Sequence, residues 1–478
     1  MKHALVAALC ALALAGCSTP GPEPATGEPE LPQQDELVAG SPPAPEEPVL
    51  SVDDTYTAIS LNVRAGDPLA ALEAYQEAEL ENPDEPATRL LLVNLYLIAG
   101  SVDEAEALLS EILRADPDDT QALHLQSLIA AARGDQEGQK SALLRIVELE
   151  PGNAQALASL GEIELQERNL DAAEDRFVAA LEQDESDVVA RMGLGNVYLR
   201  REEYEAAEEE FTAVIERDPG YAFSYGDRAR ARALRRNFSG AVSDLTEAIS
   251  LDPEYQWHYI DRGRVYLEQR RFADAVNDFS AAIAIDGSSF IGYVLRARAY
   301  DAEDEYDAAR EDYARVLEMR PDYYPAYAPY ATLLYMEKRP VEAADYFKQA
   351  FQTDSRRLDF ALLAALSLKA GNRESAANDW VSEHLAQFPR DSLYYTMARY
   401  YLLPGNEGYV LAEINQEQDD VVKGQMYFYL AAQLELLGRT ETARAAFLEA
   451  EDTLSPGFVE RRLASWHLDS YRSGQEGE

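Results

Sequence analysis

The chain has 478 residues, 87 Asp and Glu against 42 Lys and Arg, and a formal net charge of −45. A surface this acidic argues against nucleic acid and against anionic membrane as general partners. With only Cys10 and Cys17 present, no disulfide framework can carry the fold.

At the N-terminus Lys2 precedes an apolar run from Ala4 to Ala13. The run is too short for an ordinary transmembrane helix and reads as the core of a signal peptide. Leu14-Ala15-Gly16-Cys17 then resembles the bacterial lipobox. The resemblance implies a lipoprotein signal peptide over 1–16, removed before Cys17, and a diacylglycerol on the Cys17 thiol. A plain secretory signal with a chance cysteine is the alternative. Ser18 stands where an aspartate would mark inner-membrane retention, so the expectation is an envelope protein at the outer membrane, facing the periplasm. Loss of Lys2 takes the charge from −45 to −46 and leaves Cys17 as the sole cysteine. Residues 17–51 follow as an acidic, proline-rich tether with no basic residue. Such a segment is a semi-stiff spacer, about 3 Å per residue and about 100 Å in reach.

From there a proline, or a turn residue in its place, returns every 34 residues: Pro83, Pro117, Pro151, Glu185, Pro219, Pro253, Gly287, Pro321, Ser355 and Pro389. Equal intervals without insertion mean one supersecondary unit copied and stacked. The repeats begin at 52, 86, 120 and onward to 358, ten in phase over 52–391. Each holds two amphipathic helices, with apolar residues at i, i+3, i+4 and i+7 and a polar break between. Position eight is small (Gly161, Gly195, Gly263) and so is position twenty (Ala173, Ala207, Ala275), which lets the two helices approach. Position twenty-four is bulky (Phe177, Phe211, Phe279) and fills the gap to the next repeat. The proline ends the second helix.

These positions resemble the tetratricopeptide repeat (TPR). The resemblance implies an all-α fold: a right-handed superhelical solenoid of about twelve TPR helix-turn-helix units with a C-terminal capping helix. After Pro389 the phase fails. Residues 392–423 read as an irregular repeat broken by Leu403-Pro404-Gly405-Asn406, 424–457 as a further TPR repeat, and 458–478 as a capping helix and tail over the exposed end of the stack.

Charge is uneven. Between Ala222 and Ala302 eleven arginines balance eleven carboxylates, so the net charge lies outside three central repeats. Arg228, Arg262 and Arg296 at position seven precede Asp244, Asp278 and Asp312 by sixteen residues. An internal Arg–Asp pair joining the two helices is the economical reading, and the family resemblance implies the same pairing. Arg230, Arg264 and Arg298 at position nine lie on the side of the first helix that lines the concave groove of such solenoids. Phe223, Trp257 and Ile291 (position two) and Ile260 and Val294 (position five) are expected beside them. Aromatic and aliphatic anchors next to guanidinium forks suit a carboxylate-bearing partner segment. Pairing of these arginines with Asp227, Asp261 and Asp301 is the competing reading.

The family's carboxylate clamp needs lysines and asparagines on successive first helices. Asn94 and Asn196 occupy one such position, but the mature chain has five lysines, none at the required places. The histidines are scattered, and no catalytic, metal or phosphate-loop motif appears. Clusters such as Asp116-Asp118-Asp119 read as helix caps. The expectation is a scaffold without enzyme activity, metal or cofactor, binding envelope proteins or peptides and no nucleic acid, membrane-attached through Cys17. Its oligomeric state is open. A surface adhesin for host protein or glycosaminoglycan and a transporter-associated binding subunit are the alternatives.

Overall fold

The computed structural model describes residues 52–77 and 85–475. Cys17, the 1–16 signal peptide, the 17–51 tether and Pro83 lie outside them. Among the described residues there are twenty-five α-helices, two single 3-10 turns and no strand. Contacts divide the chain into two compact units, Met1–Ala231 and Arg232–Glu478.

The first unit contains α1 Val52–Arg64, α2 Pro68–Glu77, α3 Pro86–Ile98, α4 Val102–Ala115, α5 Thr120–Ala132, α6 Gln136–Leu149, α7 Ala154–Gln166, α8 Leu170–Gln183, α9 Val188–Arg200 and α10 Tyr204–Arg217, with most of α11 Ala222–Leu234. First helices thus start at 86, 120, 154 and 188, one per 34 residues. Asp119, Asn153 and Asp187, the last residue of their repeats, accept backbone N–H bonds at 2.9–3.0 Å from the next first helix. Each first helix closes on a left-handed residue at position fifteen. It is glycine at 66, 100 and 134, then Arg168 and Glu202, with φ between 64° and 77°.

Where proline is missing from the period, an aspartate does its work. Asp184, before Glu185, accepts the Ser186 N–H at 2.8 Å and turns the chain. In the second unit Asp286 and Asp354 repeat the device at 2.9 and 3.2 Å. Asp116 and Asp218 accept the same bond, at 3.1 and 3.0 Å, in front of Pro117 and Pro219, so the aspartate turn is shared by repeats with and without the proline, and the proline is not necessary to end the second helix.

Packing between helices follows residue size. Ala173 and Ala207 have no exposed surface. An added Cβ at Gly161 would lie 2.6 Å from Phe177 Cε1, and one at Gly195 2.5 Å from Phe211 Cε1. Phe177 is also pressed by Gly193 of the following repeat. One ring thus fills the space between two successive first helices, and only glycine leaves room for it.

The second unit holds the end of α11, α12 Phe238–Leu251, α13 Gln256–Glu268, α14 Phe272–Ile285, α15 Phe290–Ala302, α16 Tyr306–Met319, α17 Tyr327–Met336, α18 Pro340–Thr353, α19 Leu358–Ala370, α20 Glu374–His384, α21 Leu393–Leu402, α22 Glu407–Gln416, α23 Asp420–Leu436, α24 Thr440–Thr453 and α25 Val459–Gln475. Its 34-residue spacing holds through α19.

Beyond α19 the packing changes character. Every residue from Ala361 to Lys369 is buried, as is every residue from Gly424 to Leu434. A helix buried all round has no face left for solvent or partner. α19, α21 and α23 pack directly on one another through Tyr400, Tyr401, Phe428 and Tyr429. Tyr401 OH donates to Tyr429 O and Tyr429 OH to Asp359 O, both at 3.1 Å. The last repeats pack through these aromatics into a closely buried bundle. The physical reason is the break itself: α21 and α22 are ten residues each, α23 is seventeen and begins at Asp420, four residues before the expected boundary.

The expected cap is present and reaches further than the last repeat. α25 packs on α24 and α23, but also on α17 of repeat nine. Arg462 reaches Asp301 of repeat eight at 2.6 Å, and Trp466 meets the Tyr335 ring edge-on.

Candidate functional site

On α13, Trp257, Asp261, Arg264 and Glu268 form a stripe at helical spacing. Trp257 is 40% exposed, and the Arg264 guanidinium pairs with Asp261 at 3.1 Å while its side chain stays 47% exposed. An exposed i, i+3 pair is worth about 0.3–0.5 kcal/mol, so this arginine is easily diverted to a better carboxylate. On α15, Arg298 is exposed and in no ion pair among the described residues. Asp301, its expected partner, pairs with Arg462 instead, and burial pushes the Asp301 carboxyl up, with Arg462 opposing. Ile291 is half-buried against the core. In the first unit, Phe223 is 37% exposed and Arg230 pairs with Asp227 at 3.3 Å.

Ile260 and Val294 do not belong to this surface. Ile260 is fully buried, in a cluster with Ala275, Phe279, Leu295 and Ala299, and Val294 is buried in the large C-terminal core. Position five is rotated about 60° from position two and about 40° from position nine, enough to turn it onto the neighbouring helices.

The position-seven arginines are structural. Arg262 Nε and Nη2 donate to Asp278 Oδ2 and Oδ1 at 2.9 and 2.7 Å, and Nη1 donates to Thr246 Oγ1 of repeat six at 3.0 Å. Arg296 repeats this with Asp312 (2.8 Å twice) and Ser280 of repeat seven (3.1 Å). Each fork joins both helices of its own repeat and staples the preceding one. Burial pushes the Asp278 carboxyl up against the pull of Arg262. Asp244 is held by Arg232 at 2.8 Å, one turn beyond Arg228, and Arg228 donates to Thr212 Oγ1 at 3.2 Å.

No clamp geometry is present: Asn94 is buried, and Asn196 donates to Met192 O at 3.0 Å. Among the described residues no group of three His, Cys, Asp or Glu side chains is placed to hold a metal, and no helix is long and apolar enough to cross a membrane.

One polar cluster escaped the sequence reading. Glu460 on α25 is 1% exposed, and its Oε1 accepts Tyr429 OH at 2.6 Å and Gln425 Nε2 at 2.9 Å. Tyr394 OH donates to Gln425 Oε1 at 2.5 Å, and Arg357 holds Asp359 at 2.6 Å. Burial, then the neighbouring Asp359 charge, pushes Glu460 up to about 7. A signal existed: Glu460 sits on the same stripe as Leu463, Ala464, His467 and Leu468, where a carboxylate has no reason to be unless it is buried.

The tetratricopeptide repeat model matches residues 63–129, and the ETO1 C-terminal domain model matches 146–328. Two curated relatives, both cellulose synthase operon protein C, are 36% identical over 66 residues (Pseudomonas fluorescens) and 35% over 74 (Xanthomonas axonopodis pv. citri). The matches cover 14% and 16% of this chain and 5% of each relative. Among solved structures, a tetratricopeptide repeat protein from Parabacteroides merdae aligns at TM-score 0.41 and 22% identity, over 52% of this chain and 98% of that one. PilF of Pseudomonas aeruginosa aligns at 0.39 and 22%, over 42% and 92%.

Proposed function

We propose that this chain, which is a tetratricopeptide-repeat protein, is a non-catalytic scaffold that binds carboxylate-bearing segments of other proteins on its first-helix face. What supports the reading is the exposure of Trp257, Arg264 and Arg298 on the first helices of repeats seven and eight, with Phe223 and Arg230 carrying the same residue types in repeat six. Large aromatic and guanidinium groups are favoured anchors, because they bury much area at little entropic cost. The middles of α19 and α23 are buried all round, which favours the earlier repeats for binding.

In this reading Cys17 carries the lipid, 17–51 spaces the repeats from the membrane, and the partners are envelope proteins. The test is charge reversal of Arg230, Arg264 and Arg298 to Glu in the full chain, followed by capture of partners from the envelope. Loss of partners that the wild type retains is expected; an unchanged set contradicts the assignment. Protease shaving of intact cells, with the chain protected, tests the periplasmic orientation.

A further inference from the structure

We propose that a cleft between the cap helix α25 and the inter-helix turns of repeats seven and eight is a second ligand site, one that takes an acidic peptide segment bearing an aromatic or aliphatic side chain. It uses none of the residues assigned to the first-helix face, and it stands or falls separately.

The cleft has a volume of about 570 Å³, within the usual range for ligand sites. Four stretches of chain wall it: Arg270 and Phe272 of repeat seven, Asp301 to Tyr306 of repeat eight, Met336 at the end of α17, and one face of α25 running from Arg461 to Asp469. Phe272, Tyr306, Met336 and Trp466 supply the apolar walls.

Charge decides the ligand. Two of the three carboxylates on the walls are in ion pairs, and the third, Asp304, takes a hydrogen bond from a neutral hydroxyl and keeps its charge, so two unpaired guanidiniums face one unpaired carboxylate. Asp301 holds Arg462 at 2.6 Å, Asp469 holds Arg472 at 2.8 Å, and Asp304 accepts Tyr306 OH at 2.6 Å. Of the three guanidiniums only Arg462 is used. Arg270 and Arg461 enter no ion pair among the described residues, and arginine does not neutralise itself by losing a proton. Two unpaired forks facing a cleft with aromatic walls call for carboxylates beside an apolar group. An anionic bilayer has the carboxylate-like charge but is repelled by a chain of net charge −45; a short acidic peptide carries few charges and fits the volume.

The probe is a rhodamine-labelled octapeptide with one Glu on each side of a central Trp-Leu pair and Ser elsewhere, titrated into the full chain and read by anisotropy. The Arg270→Glu, Arg461→Gln double variant tests the forks. Glu202 already occupies the equivalent left-handed turn position in repeat five, so Glu at 270 is compatible with the fold. Loss of the charged hydrogen bonds from both forks should lower affinity at least about tenfold. The Arg264→Glu, Arg298→Glu variant should bind this probe like wild type, and the same octapeptide with Gln for every acid should bind at least about tenfold more weakly. No binding by the wild type, equal binding by the double variant, or equal binding of the Gln peptide overturns the site. Loss of binding in the Arg264→Glu, Arg298→Glu variant alone would place the peptide on the first-helix face and overturn it too.

Discussion

Glu460 makes the stability of the second unit depend on pH in an unusual direction. Acids held in ion pairs without deep burial are normally depressed and stabilise a fold above their titration. Glu460 is raised to about 7, by burial first and by Asp359 second, while Tyr429 and Gln425 oppose the shift. The groups facing it are Asp359 and Arg357 at the start of α19, Tyr429 and Gln425 on α23, and Tyr394 on α21 behind Gln425. A carboxyl that holds its proton more tightly folded than unfolded stabilises fully below the ordinary carboxylate range. That stabilisation is lost as the pH rises through about 7. With an unfolded value near 4.3 and about 1.4 kcal/mol per unit, the loss between pH 5.5 and 8.5 is about 2 kcal/mol. For a unit of this size that is about 4–8 °C in Tm. Urea unfolding followed through tryptophan fluorescence reads it directly, since Trp257, Trp380 and Trp466 all lie in the second unit. Glu460→Gln keeps the shape and the acceptor oxygen, so it should flatten the pH dependence by about 2 kcal/mol and exceed the wild type at pH 8.5. If the wild type and Glu460→Gln keep the same pH slope, the buried carboxyl is not the cause and the reasoning fails.

Three other predictions test the packing. Gly161→Ala gains helix propensity, yet its Cβ meets Phe177 at 2.6 Å; thermal unfolding should show a net loss of about 1–3 kcal/mol, partly restored by Phe177→Leu. Gly134→Val places a β-branched residue at φ 71° and should cost about 1–2 kcal/mol, whereas Arg168→Gly at φ 64° should be neutral or stabilising; the reverse order would refute the turn assignment. Asp278→Asn leaves Arg262 without its partner in a pair whose side chains are 18% and 7% exposed. Urea denaturation should show a loss of about 3 kcal/mol, with Arg262→Met in the same chain recovering part of it.

The repeat architecture was legible because the period is a property of chain distance. The 34-residue beat sets where each first helix starts and where a left-handed residue must close it, even after glycine gives way to Arg168, Glu202 and Arg236. The helix-pair contacts were legible for the same reason, since Gly161 and Phe177 fall at fixed offsets. What the 34-residue beat does not encode is which side of a first helix meets the neighbouring helices, and contact between repeats far apart in sequence. Positions two and five both read as concave, yet the 60° between them buries Ile260 and leaves Trp257 exposed. The buried C-terminal bundle depends on Tyr429 meeting Asp359 and Arg462 meeting Asp301, separated by 70 and 161 residues. Loss of phase after Pro389 marked where the pattern ends, without saying what replaces it.

The central claim is that the first helices of repeats seven and eight are where partners dock. A photoreactive phenylalanine at position 257 in the full chain, irradiated in cells, tests it most directly. The account predicts a discrete cross-linked adduct that disappears when Arg264 and Arg298 are reversed to Glu. An adduct that survives both reversals, or none in the otherwise wild-type chain, would contradict it.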